Sequence, residues 1–182
     1  MSLVDKERWN KKYTNTLLPQ NIIEVVDNYA NEAKGNKALD IACGMGRNSK
    51  LLASKGFEVH ALDISEVAIE TLRNEKNIEA KIVDFDAYTL EENSYDLIVC
   101  TYFLERKLFP QIENALKEDG IFIFETFMHD EANTKVPSNK AFLLNKGELK
   151  EIFSKGYDII HLAEFMCGDF CMKSSLVARK KK

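Results

Sequence analysis

The chain has 182 residues, 45% of them apolar and 30% charged, with 25 Lys and Arg against 29 Asp and Glu for a formal net charge of −4. Length and apolar content suit one domain with its own core and no metal or disulfide staples. The terminal run Arg179 to Lys182 holds four of the positive charges, so the body is more acidic than the total, which weighs against a nucleic-acid binder with a broad basic face. The apolar runs fall well short of the roughly 20 residues of a membrane span, and no N-terminal signal pattern is read.

In chain order, Asn21 with Glu24 predicts a capping box opening a helix whose stripe is Ile22, Val26, Tyr29 and Ala33. Residues 37–42 (KALDIA) predict a first strand, punctuated by Gly35-Asn36 before and Gly44-Met45-Gly46 after. A helix follows over 48–55, then a second strand over 57–62, entered through Gly56. Ser65 and Glu66 cap a third helix carrying Ile69 and Leu72. Residues 78–83 are a third strand, and 95–103 (YDLIVCTYF) a fourth whose apolar middle predicts burial on both faces. A helix over 110–117 turns Ile112, Ala115 and Leu116 inward, and 121–127 (IFIFETF) is a fifth strand. A last helix over 147–154 has Leu149, Ile152 and Phe153 inward, before two strands over 157–164 and 174–179. Strand–helix alternation followed by a terminal hairpin implies an α/β protein of seven strands. Its Rossmann-like, doubly wound sheet is mostly parallel with an antiparallel C-terminal edge. In such a sheet the ligand crevice lies at the carboxyl ends of the strands beside strand 1.

Cys43, Cys100, Cys167 and Cys171 form no CxxC, and only three His are present, so no metal site is expected. Cys167 and Cys171 are the one close pair. Their spacing suits two packing thiols in a reduced, cytoplasmic setting better than a ligand or redox pair.

Asp40-Ile41-Ala42-Cys43-Gly44-Met45-Gly46-Arg47-Asn48 closes strand 1 and opens a helix. Gly44 and Gly46 permit a tight turn and close approach of a ligand to the backbone, and the helix start offers free N–H groups. A dinucleotide site would need G-x-G-x-x-G, but Ser49 holds the third position, which disfavours a nicotinamide-dependent oxidoreductase. A nucleoside site fits better, with Asp40 ahead of the turn. Asp63 ends strand 2, placed to accept from ribose hydroxyls or to cap the next helix. Asp84-Phe85-Asp86 ends strand 3, as an adenine contact or a polar turn.

These strings, with A-L-D-I-S at 61–65, V-D-F-D at 83–86, Y-D-L-I-V-C-T-Y-F at 95–103 and L-K-E-D-G-I-F-I-F-E-T-F at 116–127, resemble class I S-adenosylmethionine-dependent methyltransferases in order and spacing. The whole chain most resembles their small tellurite-resistance (TehB-like) group, through W-N-K-K-Y at Trp9 to Tyr13 and F-L-L-N-K-G-E-L at 142–149. The resemblance implies one methyltransferase domain over 1–182. Residues 1–34 would be a helical cover, 37–128 the cofactor-binding core, 129–146 a lid loop and 147–182 the final helix and hairpin. It implies S-adenosyl-L-methionine as cofactor. Asp40, Ala42, Cys43, Gly44 and Gly46 would line its methionine part, Asp63 would hold the ribose and Ile64, Asp84 and Phe85 the adenine. Cys100 and Thr101 would face the methionyl group, with Tyr13 and Arg47 reaching its carboxylate. Ala42 stands where the family usually has Gly.

Methyl transfer needs alignment and exclusion of water, and a general base only for a protonated acceptor. Tyr102, Glu125 and His129 are the acceptor-side candidates, with Glu105 and Arg106 behind them. No Asn-Pro-Pro-Tyr box for amine acceptors follows strand 4. A small acceptor is therefore expected, such as a thiol or a chalcogen oxyanion like tellurite, with no nucleic acid and no membrane as partner. A non-catalytic cofactor-binding module is the alternative.

Overall fold

The computed structural model describes residues 3–16, 21–134, 136–168 and 170–182. Its centre is a seven-stranded sheet in the order β3-β2-β1-β4-β5-β7-β6. The strands are β1 (Lys37–Ile41), β2 (Glu58–Asp63), β3 (Ile78–Ile82), β4 (Tyr95–Thr101), β5 (Leu116–Phe127), β6 (Tyr157–Cys167) and β7 (Cys171–Lys180). The first five pair parallel, and β7 runs antiparallel to both β5 and β6. This is the sheet expected from the sequence, entered at β1 and reversed to either side of it, so the crevice lies between the ends of β1 and β4.

Side-chain alternation builds two cores from the same strands. Ala38, Leu97, Val99, Ile121, Ile123 and Val177 face one side, where Val26 and Leu52 cover them. Leu39, Ile98, Phe122, Phe124 and Leu176 face the other, under Phe109, Ile112, Leu149 and Phe153. Burial on both faces is why β4 reads as a continuous apolar run rather than an alternating one. Among the described residues six α-helices accompany the sheet: α1 (Leu3–Asn15), α2 (Glu24–Tyr29), α3 (Arg47–Ser54), α4 (Glu66–Glu70), α5 (Leu108–Ala115) and α6 (Glu148–Phe153). Ser65 caps α4 by accepting from the Ala68 N–H at 3.2 Å. The same hydroxyl donates to Asn10 Oδ1 at 2.6 Å, docking α1 over the end of β2.

Three sequence expectations are corrected. The capping box at Asn21 does not form: α2 begins at Glu24, its N-cap is Ile23, and no side chain caps it. Asn21, Ile22 and Ile23 instead line a cavity, and only Val25 and Val26 of the short helix are buried. Ile152 is exposed, because six residues of α6 turn only Leu149 and Phe153 onto the sheet. Cys167 and Cys171 are not separate packing thiols but a disulfide, since the β6–β7 register sets them opposite each other. Arg106 is a structural clamp: its guanidinium donates to both oxygens of Glu148 and to the carbonyls of Ala141 and Leu143. That pins the chain between β5 and α6 against the segment after β4.

The loop after β1 holds three left-handed residues, Ala42, Gly44 and Gly46, and the first and last have opposite consequences. Gly46 has φ +79°, and a Cβ there would stand 2.3 Å from Cδ2 of fully buried Leu72. Gly46→Ala is expected to lower stability by about 1–3 kcal/mol, from strain and overpacking together. Ala42 has φ +53° and already carries the strained methyl. Ala42→Gly should therefore leave stability level or raise it by up to ~1 kcal/mol, against the usual sign of an Ala-to-Gly change. Chemical denaturation of the two variants beside the parent checks both.

Candidate active site

A cavity of about 650 Å³ opens at the carboxyl ends of β1, β2 and β4. Its floor is the loop Ala42–Met45 with Arg47 and Asn48 at the start of α3. Asp63 and Ile64 form one wall, and Thr101, Tyr102 and Phe103 another. Trp9, Lys12 and Tyr13 of α1 and residues 21–23 cover it. Phe127, Lys173 and the Cys167–Cys171 bridge close the far end.

Asp63 organises the near end. Its Oδ2 accepts from the Gly44 N–H at 2.8 Å and its Oδ1 from the Ser65 N–H at 2.9 Å. One carboxylate thus ties the loop after β1 to the turn after β2. It also does what the helix-capping reading expected, by ordering the entry to α4. Burial raises its pKa, while the N–H groups of Ser65, Gly44 and Ile64 pull it back. Tyr13 stands over the loop: a Cβ on Gly44 would lie 2.8 Å from its hydroxyl.

Beneath the loop, Asp40 gives one oxygen to the Ser49 hydroxyl at 2.6 Å, while its Oδ1 has no partner. Asn48 donates to Thr101 Oγ1 at 2.9 Å, and its Oδ1 likewise lacks a donor. Two buried acceptors without donors are costly in a bare protein. They suit a cationic group bound nearby. The ammonium and sulfonium of S-adenosylmethionine are such groups, and the helix start and Arg47 suit its carboxylate. The residues present therefore fit that molecule.

The far end is built differently. Tyr102 has φ +58°, a strained conformation for a bulky residue just past the end of β4. Its hydroxyl donates to Glu125 Oε1 at 2.9 Å and accepts from Lys173 Nζ at 2.6 Å. Lys173 also lies 3.7 Å from Glu125. Arg47 sits over one ring position at 4.9 Å and Lys173 at 4.8 Å, so two cations lean on the Tyr102 ring. The Phe127 ring lies beside it at 5.2 Å, tilted by 43°. Burial first, then Glu125, raises the Tyr102 pKa, so the phenol stays protonated and donates.

Of the residues the sequence singled out, Tyr13, Ala42, Cys43, Gly44, Arg47, Asp63, Ile64, Thr101 and Tyr102 line the cavity. Asp40, Gly46 and Cys100 lie behind it. Asp40 is buried under the loop, Gly46 packs on Leu72, and Cys100 donates to the Phe103 carbonyl. Glu125 lies one hydrogen bond away, through Tyr102. Asp84 is half-exposed with its carboxylate on the Asp86 N–H, and Phe85 packs against Phe103 at 5.6 Å; neither reaches the cavity wall. His129 is exposed, and residues 129–146 contribute none of the described lining, so the covers are α1, residues 21–23 and the hairpin. Sequence reasoning missed Asn48, Phe127 and Lys173. Only the oddity of a Lys next to the buried core of β7 could have flagged the last.

Burial raises the Asp40 pKa from 3.8 to about 7. The folded state therefore holds a proton that the unfolded chain has released, so stability falls as pH rises between these values and levels off above about 7. Asp40→Asn, which keeps an acceptor for Ser49, is expected to flatten that slope. Denaturant midpoints at acid and neutral pH for the two proteins measure it.

A family model described as "Tellurite resistance protein TehB" matches residues 1–172. The "Probable S-adenosyl-L-methionine-dependent methyltransferase TehB" of Haemophilus influenzae is 30% identical over 173 residues, covering 88% of this chain and 58% of that protein. The chain thus spans less than two thirds of that relative's length. A "Ubiquinone biosynthesis O-methyltransferase" of Coxiella burnetii is 33% identical over 103 residues, 51% of this chain and 44% of that one. Among solved structures, TehB from Haemophilus influenzae superposes with a TM-score of 0.72 at 27% identity, covering 97% of this chain and 67% of that one. A structure described as "Conversion of a Disulfide Bond into a Thioacetal Group during Echinomycin Biosynthesis" reaches the same 0.72 at 15% identity, covering 97% of this chain and 92% of that one, a likeness of fold alone. The match over nearly the whole chain agrees with the loop, the carboxylate after β2 and the antiparallel edge described above, and the chain belongs to the TehB family.

Proposed function

We propose that this protein is an S-adenosylmethionine-dependent methyltransferase acting on a small anionic acceptor, with a chalcogen oxyanion such as tellurite or a thiolate as the substrate class. One observation carries the reading: the Gly44–Asp63 junction and the Lys173–Tyr102 pair line opposite ends of a single cavity. When bound, S-adenosylmethionine supplies an electrophilic methyl group on a sulfonium.

Every other part falls to the chain's own residues. Asp63 accepts from ribose hydroxyls with the lone pairs its two N–H donors leave, and Ile64 flanks the adenine. This assignment rests on these cavity residues rather than on Asp84 and Phe85. Asn48 and Asp40 supply negative potential for the cationic end, Asp40 as a positioning residue from beneath the loop. Lys173 and Lys12 attract and orient an anionic acceptor, Arg47 meets the cofactor carboxylate, and Trp9, Phe103 and Phe127 exclude water. Tyr102 keeps its proton and donates to Glu125, so it orients Lys173 and the acceptor instead of acting as a base. A nucleophile that arrives ionised needs none. A cytoplasmic setting accords with the described helices, none of which is long and apolar enough to cross a membrane.

The test is S-adenosylhomocysteine formation across a panel of thiols, chalcogen oxyanions, hydroxylated metabolites and nucleic acids. Turnover is expected with small anions, and cofactor binding without turnover on any of them would leave a non-catalytic binding module. Asp63→Ala should weaken cofactor binding by roughly 1.5–3 kcal/mol in calorimetry, the worth of a charge-assisted hydrogen bond. Lys173→Met should raise the acceptor KM and leave cofactor affinity nearly unchanged. Cofactor affinity should also fall as pH drops below about 7, because Asp40 then carries its proton.

A further inference from the structure

The Cys167–Cys171 bridge stands at an odd place for a structural staple. It joins residues only four apart. Stabilisation by a cross-link grows with the loop it closes, so this one constrains the unfolded chain little. The strands it joins are already paired from Tyr157–Lys180 to Met166–Met172. Yet both of its residues line the cavity, and Cys171 lies two positions before Lys173, on the same face of β7. The bridge therefore sits at the end where the acceptor would enter. Disulfides in reducing compartments are usually transient.

We propose that this bridge is reducible and that its dithiol form is a binding site for a thiophilic trivalent metalloid, arsenic(III) being the probe chemistry. Its placement beside the acceptor rests on the methyltransferase reading, while the binding itself does not. Opening requires a thiol or phosphine reductant. With thiols, a thiolate attacks one bridge sulfur to give a mixed disulfide, a second thiolate attacks the reductant's sulfur in it, the two reductant thiols leave as their disulfide, and the cysteines gain two electrons and two protons. The two thiols then condense with arsenous acid. Two As–S bonds form, two As–O bonds break, two waters leave with the thiol protons, and arsenic keeps its oxidation state and one hydroxyl.

The backbone preorganises this pair. The β6–β7 ladder pairs Cys167 with Cys171 across the two strands, and in the bridged chain their Cα atoms lie 5.5 Å apart. Cys43, the third cysteine on the cavity wall, does not complete a three-thiolate site. Its thiol donates to the Gly44 carbonyl and burial holds it protonated. Among the described residues no cluster of three or more His, Cys, Asp or Glu could hold a metal ion. Two protein sulfurs suit a metalloid that keeps a hydroxyl better than tetrahedral zinc, which takes three or four protein ligands.

The experiment uses the full chain, reduced with a phosphine, desalted without oxygen and titrated with sodium arsenite in the absence of methyl donor. Native mass spectrometry and calorimetry are expected to show one arsenic per reduced chain and none on the oxidised chain, a control that needs no mutation. Cys167→Ser and Cys171→Ser should each weaken uptake roughly tenfold or more. Reduced protein that takes up no arsenic, or a double serine variant of native circular dichroism that binds as tightly as the parent, would overturn the proposal. Since no methyl donor is present, failure here leaves the methyltransferase reading standing, and absence of methyl transfer leaves this one standing.

Discussion

The carboxylate of Asp63 is the joint on which the near half of the cavity depends. It spans from the Gly44 N–H to the Ser65 N–H, and so fixes the loop after β1 relative to the turn after β2. A buried carboxylate without donors would be costly, and backbone N–H groups are donors that cannot rotate away. The loop it holds contains left-handed residues at Ala42, Gly44 and Gly46, which would otherwise have little reason to stay in one conformation. The strained loop and the buried charge are thus held together by the same carboxylate.

The far half follows a different logic. Tyr102, Glu125 and Lys173 come from β4, β5 and β7, neighbours in the sheet that are far apart in the chain. Lys173 offsets the buried Glu125, and the phenol between them uses both partners. With Arg47 leaning on the same ring, this wall carries two cations, whereas Asp63 stands at the other end of the cavity. A cavity polarised in this way favours a ligand pair of opposite charge, one end cationic and the other anionic. The near end is built where β1 and β2 end, whereas the far end joins the ends of β4 and β5 to the C-terminal hairpin.

This division explains what the sequence disclosed. Among the parallel strands, β1, β2 and β5 were legible from the glycines at 35, 44, 56 and 120, and β4 from its continuous apolar run YDLIVCTYF. Asp63 and the Gly44 loop were legible because each lies at the end of a strand, where topology alone brings residues together. Lys173 and the disulfide were not, since only the register of β7 against β5 and β6 places them. Asn21 failed as a cap for a related reason. Its local pattern was sound, but Ile22 and Ile23 are drawn over the cavity, and the helix starts beyond them. His129, plausible by position, lies on the surface because the chain leaves β5 along its bridge between Met128 and Leu144.

The place of β7 has a bearing on how the molecule is made. It is the last of the described strands in sequence, yet it lies inside the sheet, between β5 and β6. During synthesis β5 and β6 emerge before the strand that must separate them, and they cannot lie side by side without excluding it. The nascent chain can complete its β1-to-β5 half early, but β5 keeps an open edge until the final strand is released from the ribosome. The same late arrival brings Lys173 to Tyr102. A ribosome-bound chain would thus present the Gly44–Asp63 end of the cavity before the end that holds Lys173.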